Sequence, residues 1–213
     1  MKVKGSKLVE EIKSKFLEEN LLGSDPFVLA KEWYGDALES EIKEPTAASL
    51  ATCGIDGKPS VRFILLKSII DEGFVFYTNY KSRKADQLKE NPNVAMALYW
   101  SEFERQMRIE GTVEILSKDI SDEYYDSRPE GSKIGAWASP QSRIIPGRSY
   151  LDNLKNDFDN AMTGKTIDRP DFWGGYLLKP NKIEFWKARE DRLHDRIEYV
   201  LEDGIWKFHR LAP

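Results

Sequence analysis

Three residues near the end of the chain have types and spacing suited to chemistry. Arg192, His194 and Arg196 alternate with Leu193 and Asp195 in the stretch Trp186 to Arg196. In an extended strand successive side chains point to opposite faces, so the three would share one face, an imidazole between two guanidiniums. Such a face suits a planar anionic ligand, because guanidiniums fork onto phosphates and stack on rings. The plain alternative is a solvated hairpin edge with the arginines paired to Glu190, Asp191 and Asp195.

Other parts of the chain supply matching pieces. Arg62 and Lys67 bracket the apolar run Phe63-Ile64-Leu65-Leu66. Strict alternation puts the two cations on opposite faces unless a bulge intervenes, so they could serve separate anions. Tyr77-Thr78 is followed by Ser82-Arg83-Lys84 at a helix start, where backbone N–H groups and cations favour phosphate. Tyr124, Arg128 and Ser132 recur at intervals of four, the first two on one helix face and Ser132 in the loop beyond. Gln106 on a strand and Gln141-Ser142 in a polar loop can both donate to and accept from a heterocycle edge. Each piece alone also reads as ordinary surface polarity, and Trp186 as core.

The elements that must position these groups follow from pattern. Residues 6 to 19 read as a weakly amphipathic helix through Leu8, Ile12 and Phe16, part of an N-terminal segment (1–24) of the kind often mobile. Asp25-Pro26 starts a helix that carries Phe27, Ala30, Trp33, Tyr34, Ala37 and Leu38 on its apolar side. Strands are expected over Ala47–Cys53, Ser60–Lys67, Phe74–Thr78, Val94–Trp100, Gln106–Leu116, Trp173–Leu178, Ile183–Trp186, Arg196–Leu201 and Ile205–Leu211. Tight turns join several of them, at Asp56-Gly57, Asp71-Glu72-Gly73 and Glu202-Asp203-Gly204. Helices are expected over Ser82–Asn91, Ser117–Ser127, Ile134–Ala138 and Ser149–Met162. This order argues for a mostly β, α+β fold, an antiparallel barrel with flanking helices forming one domain over 25–213.

Bulk properties narrow the function. A net charge of −4 over 213 residues argues against nonspecific nucleic-acid or membrane-surface binding. Any anion site must therefore be local, and Arg62 to Lys84 holds five cations against Asp71 and Glu72. One cysteine excludes an intramolecular disulfide, and two histidines with that cysteine cannot build a usual zinc site. No apolar run approaches the ~20 residues of a bilayer span, and Met1 to Lys15 lacks the apolar segment of a secretory signal. A cytoplasmic protein is the resulting expectation. No GxGxxG follows a strand, so a Rossmann cofactor site is unsupported.

Taken in order, Arg62-Phe63-Ile64-Leu65-Leu66-Lys67, Phe76-Tyr77-Thr78-Asn79, Ser82-Arg83-Lys84-Ala85, Glu104-Arg105-Gln106, Ser127-Arg128-Pro129, Ile134-Gly135-Ala136-Trp137, Phe172-Trp173-Gly174-Gly175, Ile183-Glu184-Phe185-Trp186, Arg192-Leu193-His194-Asp195-Arg196 and Arg210-Leu211-Ala212-Pro213 resemble the pyridoxine/pyridoxamine 5′-phosphate oxidases. The resemblance runs from about Asp25 to Pro213. It implies an FMN-binding split β-barrel and a homodimer with two flavin sites at the subunit interface. On that likeness Arg62 through Lys67, with Tyr77, Thr78, Arg83 and Lys84, hold FMN, and Gln106, Gln141, Ser142, Trp186 and Arg196 complete its site. Lys67, Tyr124, Arg128 and Ser132 would hold the substrate phosphate, while Arg192, Leu193 and His194 lie at the pyridine ring. Arg192 and His194 are then the catalytic candidates. The implied reaction oxidises pyridoxine or pyridoxamine 5′-phosphate to pyridoxal 5′-phosphate, with hydride passing from C4′ to flavin N5 and oxygen leaving as hydrogen peroxide.

The chain departs from the family ahead of the Asp25-Pro26 helix. Many members carry there an Arg and a Tyr that close over the substrate; here the segment reads Val9-Glu10-Glu11-Ile12. A flavin reductase on the same barrel would share the FMN residues but have no use for Tyr124, Arg128, Ser132 and the Arg-Leu-His set together. A flavin or pyridoxal-phosphate carrier would bind the same ligands without turnover.

Overall fold

The computed structural model describes residues 9–213. Helix α1 (Pro26–Glu39) begins where expected: the Asp25 side chain accepts from the Phe27 N–H, with Pro26 at the first helical position. It buries Phe27, Ala30, Trp33, Tyr34 and Ala37. Leu38, expected on that apolar side, is exposed instead, because the buried stripe is narrower than the run of apolar residues. The N-terminal helix also ends earlier than expected. Its described part covers residues 9–14, followed by a single 3-10 turn at Glu19–Leu21. Leu8 lies outside the described residues, and Ile12 and Leu17 are buried against the rest of the chain.

The sheet order is β3-β2-β1-β4-β5-β6-β7-β8, with β3 (Gly73–Asn79) also pairing β6 (Trp173–Lys187). That closure makes an antiparallel six-stranded barrel of β1 (Ala47–Cys53), β2 (Pro59–Ile70), β3, β4 (Asn93–Trp100), β5 (Arg105–Ile115) and β6. The β7 (Asp195–Glu202) and β8 (Ile205–Arg210) hairpin extends from β6. Its turn uses Asp203 and Gly204, both at positive φ, as a two-residue hairpin requires. Inward residues at period two, among them Leu50, Leu66, Phe76, Leu98, Ile109 and Phe185, form a core that α1 caps with Trp33 and Phe27. Among the described residues no helix is long and apolar enough to cross a membrane.

Two expected strands, Trp173–Leu178 and Ile183–Trp186, are one 15-residue strand, β6. Pro180 and Asn181 lie between the two expected segments. Proline lacks an N–H but is tolerated at a bulge, and the β5–β6 register shifts there, between Glu110 and Gly111. Gly111 permits the bulge, since a Cβ at this position would collide with the Lys179 carbonyl and lie 2.8 Å from Pro180 Cα. Both are backbone atoms and cannot swing aside. Gly111→Ala should therefore destabilise the protein by about 1–3 kcal/mol, read as a lower urea midpoint, whereas Gly57→Asn in the open turn should be near neutral.

Candidate functional site

A second register shift, between Leu66 and Ser68, sits where β2 and β3 part. Beyond it β2 pairs only with β1, while β3 continues along β6 through Tyr77, Thr78 and Asn79. The gap between them is a cavity of about 630 Å³. Arg62, Phe63, Ile64, Leu65 and Lys67 line one wall, and Tyr77, Thr78 and Lys84 the other. Tyr124, Arg128, Ser132, Gln141, Pro129 and Trp173 close it. Residues of both β2 faces border the gap, Phe63, Leu65 and Lys67 as well as Arg62 and Ile64, so Arg62 and Lys67 reach the same cavity although alternation holds between them.

Arg62 is held by three acceptors. Its Nη1 donates to Leu50 O (2.9 Å) and Thr52 Oγ1 (2.7 Å), and its Nη2 donates to Ser60 Oγ. The two hydroxyls in turn donate to Gln87 Oε1, from helix α2 (Arg83–Glu90). Lys84, on the first turn of that helix, is buried and donates to Thr78 Oγ1 (3.0 Å), Ser82 Oγ (3.2 Å) and Gln141 Oε1 (3.1 Å). Among the described residues no carboxylate lies within ion-pair distance of Arg62, Lys67, Arg83, Lys84 or Arg128. Burial pushes the Lys84 ammonium down to about 8, with Arg62 adding repulsion. Burial also lowers Arg62, with Arg83 as the second cause. Cations crowded together without a counter-charge are costly unless an anion joins them.

The other wall is aromatic. Tyr77 and Tyr124 stack with centroids 3.8 Å apart, and Trp173 continues the stack 5.6 Å from Tyr77. Arg128 lies over Trp173 at 4.4 Å, and its buried Nη1 has no hydrogen-bond partner. A buried guanidinium nitrogen left without an acceptor is a place for a ligand oxygen. Helix α3 (Lys118–Asp126), capped by Ser117 at the start of the expected helix, carries Tyr124 and ends before Arg128. Ser132, expected in a loop, is instead in the first turn of α4 (Glu130–Ala138), since the chain re-enters a helix directly after Pro129. Gly174 and Gly175 follow Trp173 because side chains have no room there. A Cβ on Gly175 would lie 2.6 Å from Leu116 Cδ1 and 2.9 Å from Tyr77 Cε1. Two glycines inside a strand were the signal for this close approach, and for Trp173 beside it.

Several expected residues lie elsewhere. Leu66 is fully buried in the barrel core, on the inward face just before the bulge. Arg83 sits at the start of α2, and Ser142 follows Gln141 with φ 68°. Gln106, Trp186 and Arg196 stand opposite one another on β5, β6 and β7, forming a row across three strands outside the cavity. Glu184, buried on the same face, accepts from Arg196 Nε (2.9 Å) and Arg108 Nη1 (2.8 Å), and its hydrogen bond raises Arg196.

The shared strand face of Arg192, His194 and Arg196 is not present. Only Arg196 is on a strand. Arg192 ends a 3-10 turn (Glu190–Arg192) in which Asp191 and Arg192 adopt φ 54° and 63°, so alternation does not apply. His194 still reaches the row, its ring 4.7 Å from Trp186, while Arg192 and Leu193 are exposed. Asp195 is buried and accepts from Arg189 Nε and Arg210 Nη1, both at 2.7 Å.

The cavity and the row lie on opposite margins of one outer sheet face. Between them, across β2, β1 and β4, are Val61, Phe63 and Leu65, then Ala51, Ser49 and Ala47, then Ala95, Ala97 and Tyr99. Val61, Phe63 and Tyr99 are 69%, 79% and 61% exposed, making an apolar patch that borders the cavity at Phe63 and the row at Tyr99.

Comparison with known proteins gives consistent matches. The family model described as pyridoxamine 5′-phosphate oxidase covers residues 34–152. The model described as the pyridoxine 5′-phosphate oxidase C-terminal dimerisation region covers residues 173–213. A pyridoxine/pyridoxamine 5′-phosphate oxidase of Cupriavidus pinatubonensis is 48% identical over 198 residues, 92% of this chain and 93% of the relative. Among solved structures, PhzG from Burkholderia lata, in complex with tetrahydrophenazine-1-carboxylic acid, superposes with TM-score 0.88 at 34% identity, over 93% of this chain and 98% of that one. A pyridoxamine 5′-phosphate oxidase-related, FMN-binding protein from Nostoc punctiforme, 18% identical, shares the fold with TM-score 0.70 over 90% of this chain and all of that one.

The Lys84 environment gives a pH test on the ligand-free protein. Its folded value of about 8 lies below the ordinary 10.5. Between these values the unfolded chain keeps a proton that the folded protein has released, so stability rises with pH there; below 8 the cost of the buried charge is felt in full. The rise is up to about 3 kcal/mol, at 1.36 kcal/mol per unit. Urea denaturation from pH 7.5 to 10 should show this gain in the wild type and not in Lys84→Met, which should be the more stable of the two at pH 7.5.

Proposed function

We propose, from the premise that this chain belongs to the pyridoxamine 5′-phosphate oxidase family, that it binds FMN and oxidises pyridoxine or pyridoxamine 5′-phosphate to pyridoxal 5′-phosphate, with oxygen reduced to hydrogen peroxide. The observation that carries this reading is the cavity at the barrel split, rich in uncompensated cations and lined on one side by stacked aromatics. Its donors fit phosphate groups: buried Lys84 and Arg62 at one end, and Arg128 with its free Nη1 beside Lys67, Tyr124 and Ser132 at the other. Two anion positions in one cavity match a phosphorylated cofactor beside a phosphorylated substrate.

When bound, FMN supplies the two-electron acceptor for hydride from the substrate C4′ and passes the electrons to oxygen. The chain's own residues bind and orient. Arg62, pinned by Thr52 and Ser60, and Lys84, with Thr78, hold the cofactor phosphate. Leu66 N–H donates to Thr46 O on the β1 side, so by alternation the Phe63 and Leu65 peptide groups face the open edge, where they can pair with a planar ring. Arg128, Lys67, Tyr124 and Ser132 fix the substrate phosphate, which makes hydride transfer effectively intramolecular. With the amine substrate, water replaces the nitrogen, which leaves as ammonia.

The site is completed by a second copy of the chain. No residue of the Gln106–Trp186–Arg196 row lines the cavity, and the exposed apolar patch lies between the two. Pairing two patches about a twofold axis along the strands sets the cavity of one protomer against the row of its partner. The C-terminal match to a dimerisation region agrees with this arrangement. The phosphate-directed donors favour this substrate class over a tricyclic carboxylate of the kind bound by PhzG.

The purified protein should be yellow and, given pyridoxine 5′-phosphate in air, should form pyridoxal 5′-phosphate and peroxide in equal amounts; a colourless protein, or a yellow one without turnover, refutes the oxidase reading. Subunit mixing tests the divided site. Arg128→Ala and Arg196→Ala homodimers should each be nearly inactive, while their mixture should regain about a quarter of wild-type activity, since half the dimers are mixed and each holds one intact site. Activity no greater than the average of the two variants, after exchange is verified, refutes it.

A further inference from the structure

The loop from Ala188 to His194 joins β6 to β7, and Arg189 ties its two ends together. Arg189 Nε donates to Asp195 (2.7 Å), the buried first residue of β7. The Arg189 backbone N–H donates to His194 Nδ1 at 3.2 Å. Inside the loop thus closed, Leu193 N–H donates to Glu190 O (3.1 Å), and Asp191 and Arg192 take left-handed backbone conformations. Two consecutive non-glycine residues at positive φ persist only where their surroundings over-determine them.

The outer side of Arg189 is also engaged. Its Nη2 donates to Glu18 (3.0 Å) and its guanidinium lies 4.0 Å over the Phe16 ring. Leu17, between them, donates its N–H to the same Asp195 carboxylate (3.2 Å). One guanidinium therefore joins the N-terminal segment, the loop and the start of β7.

Resting on the family reading above, we propose that Arg189 is a positioning residue for the oxidase site: by clamping the loop to Asp195 it keeps its own backbone N–H on His194 Nδ1 and so fixes the orientation and tautomer of that imidazole. A ring nitrogen that accepts a hydrogen bond carries no proton, so in the neutral imidazole Nε2 bears the hydrogen and is the donor offered to a ligand. The tilted Trp186 ring at 4.7 Å backs the imidazole from another side. Phe16 and Glu18 hold the clamp, which couples the N-terminal segment to the substrate side of the site without placing any N-terminal residue on the substrate.

The chain has two histidines, so long-range proton–nitrogen NMR of labelled protein reads the tautomer of His194 directly, with His209→Gln assigning the signals. The wild type should show a single Nε2–H tautomer. Arg189→Ala should show averaged tautomers and a kcat/KM lowered roughly ten- to a hundredfold, with flavin retained. Arg189→Lys, which can still reach Asp195, should recover part of both, and Glu18→Gln should give a smaller shift in the same direction. A single Nε2–H tautomer with wild-type kcat/KM in Arg189→Ala overturns the proposal. If that variant fails to fold, an unshifted tautomer in both Arg189→Lys and Glu18→Gln does so. The NMR result does not depend on turnover, so an inactive wild type would remove the oxidase reading while leaving the tautomer assignment standing or falling on its own.

Discussion

Strand β2 cannot stay paired on both edges along its whole length. It changes partner instead: Leu66 to Ile70 pairs with β3 and Pro59 to Leu65 with β1, so from the Leu66–Ser68 bulge toward Pro59 the edge away from β1 is open while β3 runs on along β6. An open edge inside a barrel exposes peptide groups that need partners. Much of the site's arrangement follows. The cavity occupies the gap, helix α2 starts beside it with Lys84, and the segment holding Tyr124 and Arg128 closes the side that a strand would otherwise cover. Because residues of both β2 faces border this gap, one strand brings Arg62 and Lys67 to the same space.

Much of this was legible in the sequence, and what was not has identifiable causes. Caps and turns were readable because they are local: Asp25-Pro26, Ser117 and Asp203-Gly204 act within a few residues of themselves. Chemistry-bearing side chains near the split were readable as types, and twelve of the expected residues line one cavity. Register-dependent statements fared worse. Alternation assigned Arg192, His194 and Arg196 to one strand face, but nothing in the residue types signals two consecutive left-handed residues at Asp191 and Arg192. Alternation does set Leu66 apart from Leu65 and Lys67; it was the resemblance that placed the whole run Arg62 to Lys67 at the cofactor. The Gln106–Trp186–Arg196 row depends on pairings between strands far apart in sequence, which no local pattern encodes.

Two kinds of polar anchoring coexist here. Around Asp195 and Glu184 each buried carboxylate meets two arginines, and those arginines also reach Glu18, Glu19 and Glu110, so opposite charges compensate within the chain and define the β6–β7 region. At the split the balance is left open: Arg62 and Lys84 are satisfied as hydrogen-bond donors but not as charges. Balanced clusters define shape, whereas unbalanced ones define what shape must receive.

That imbalance bears on how long an empty chain survives. A protein that carries an uncancelled charge cluster opens more readily when empty than when an anion occupies the cluster, and a ligand bound only by the folded form stabilises it in proportion to the logarithm of its occupancy. Proteolysis in cells samples such openings, so the empty and loaded forms would be turned over at different rates. On the proposed reading, in which buried Lys84 holds the cofactor phosphate, this would tie cofactor supply to protein abundance: chains made in excess of the cofactor would open and be cleared more readily than those that capture it.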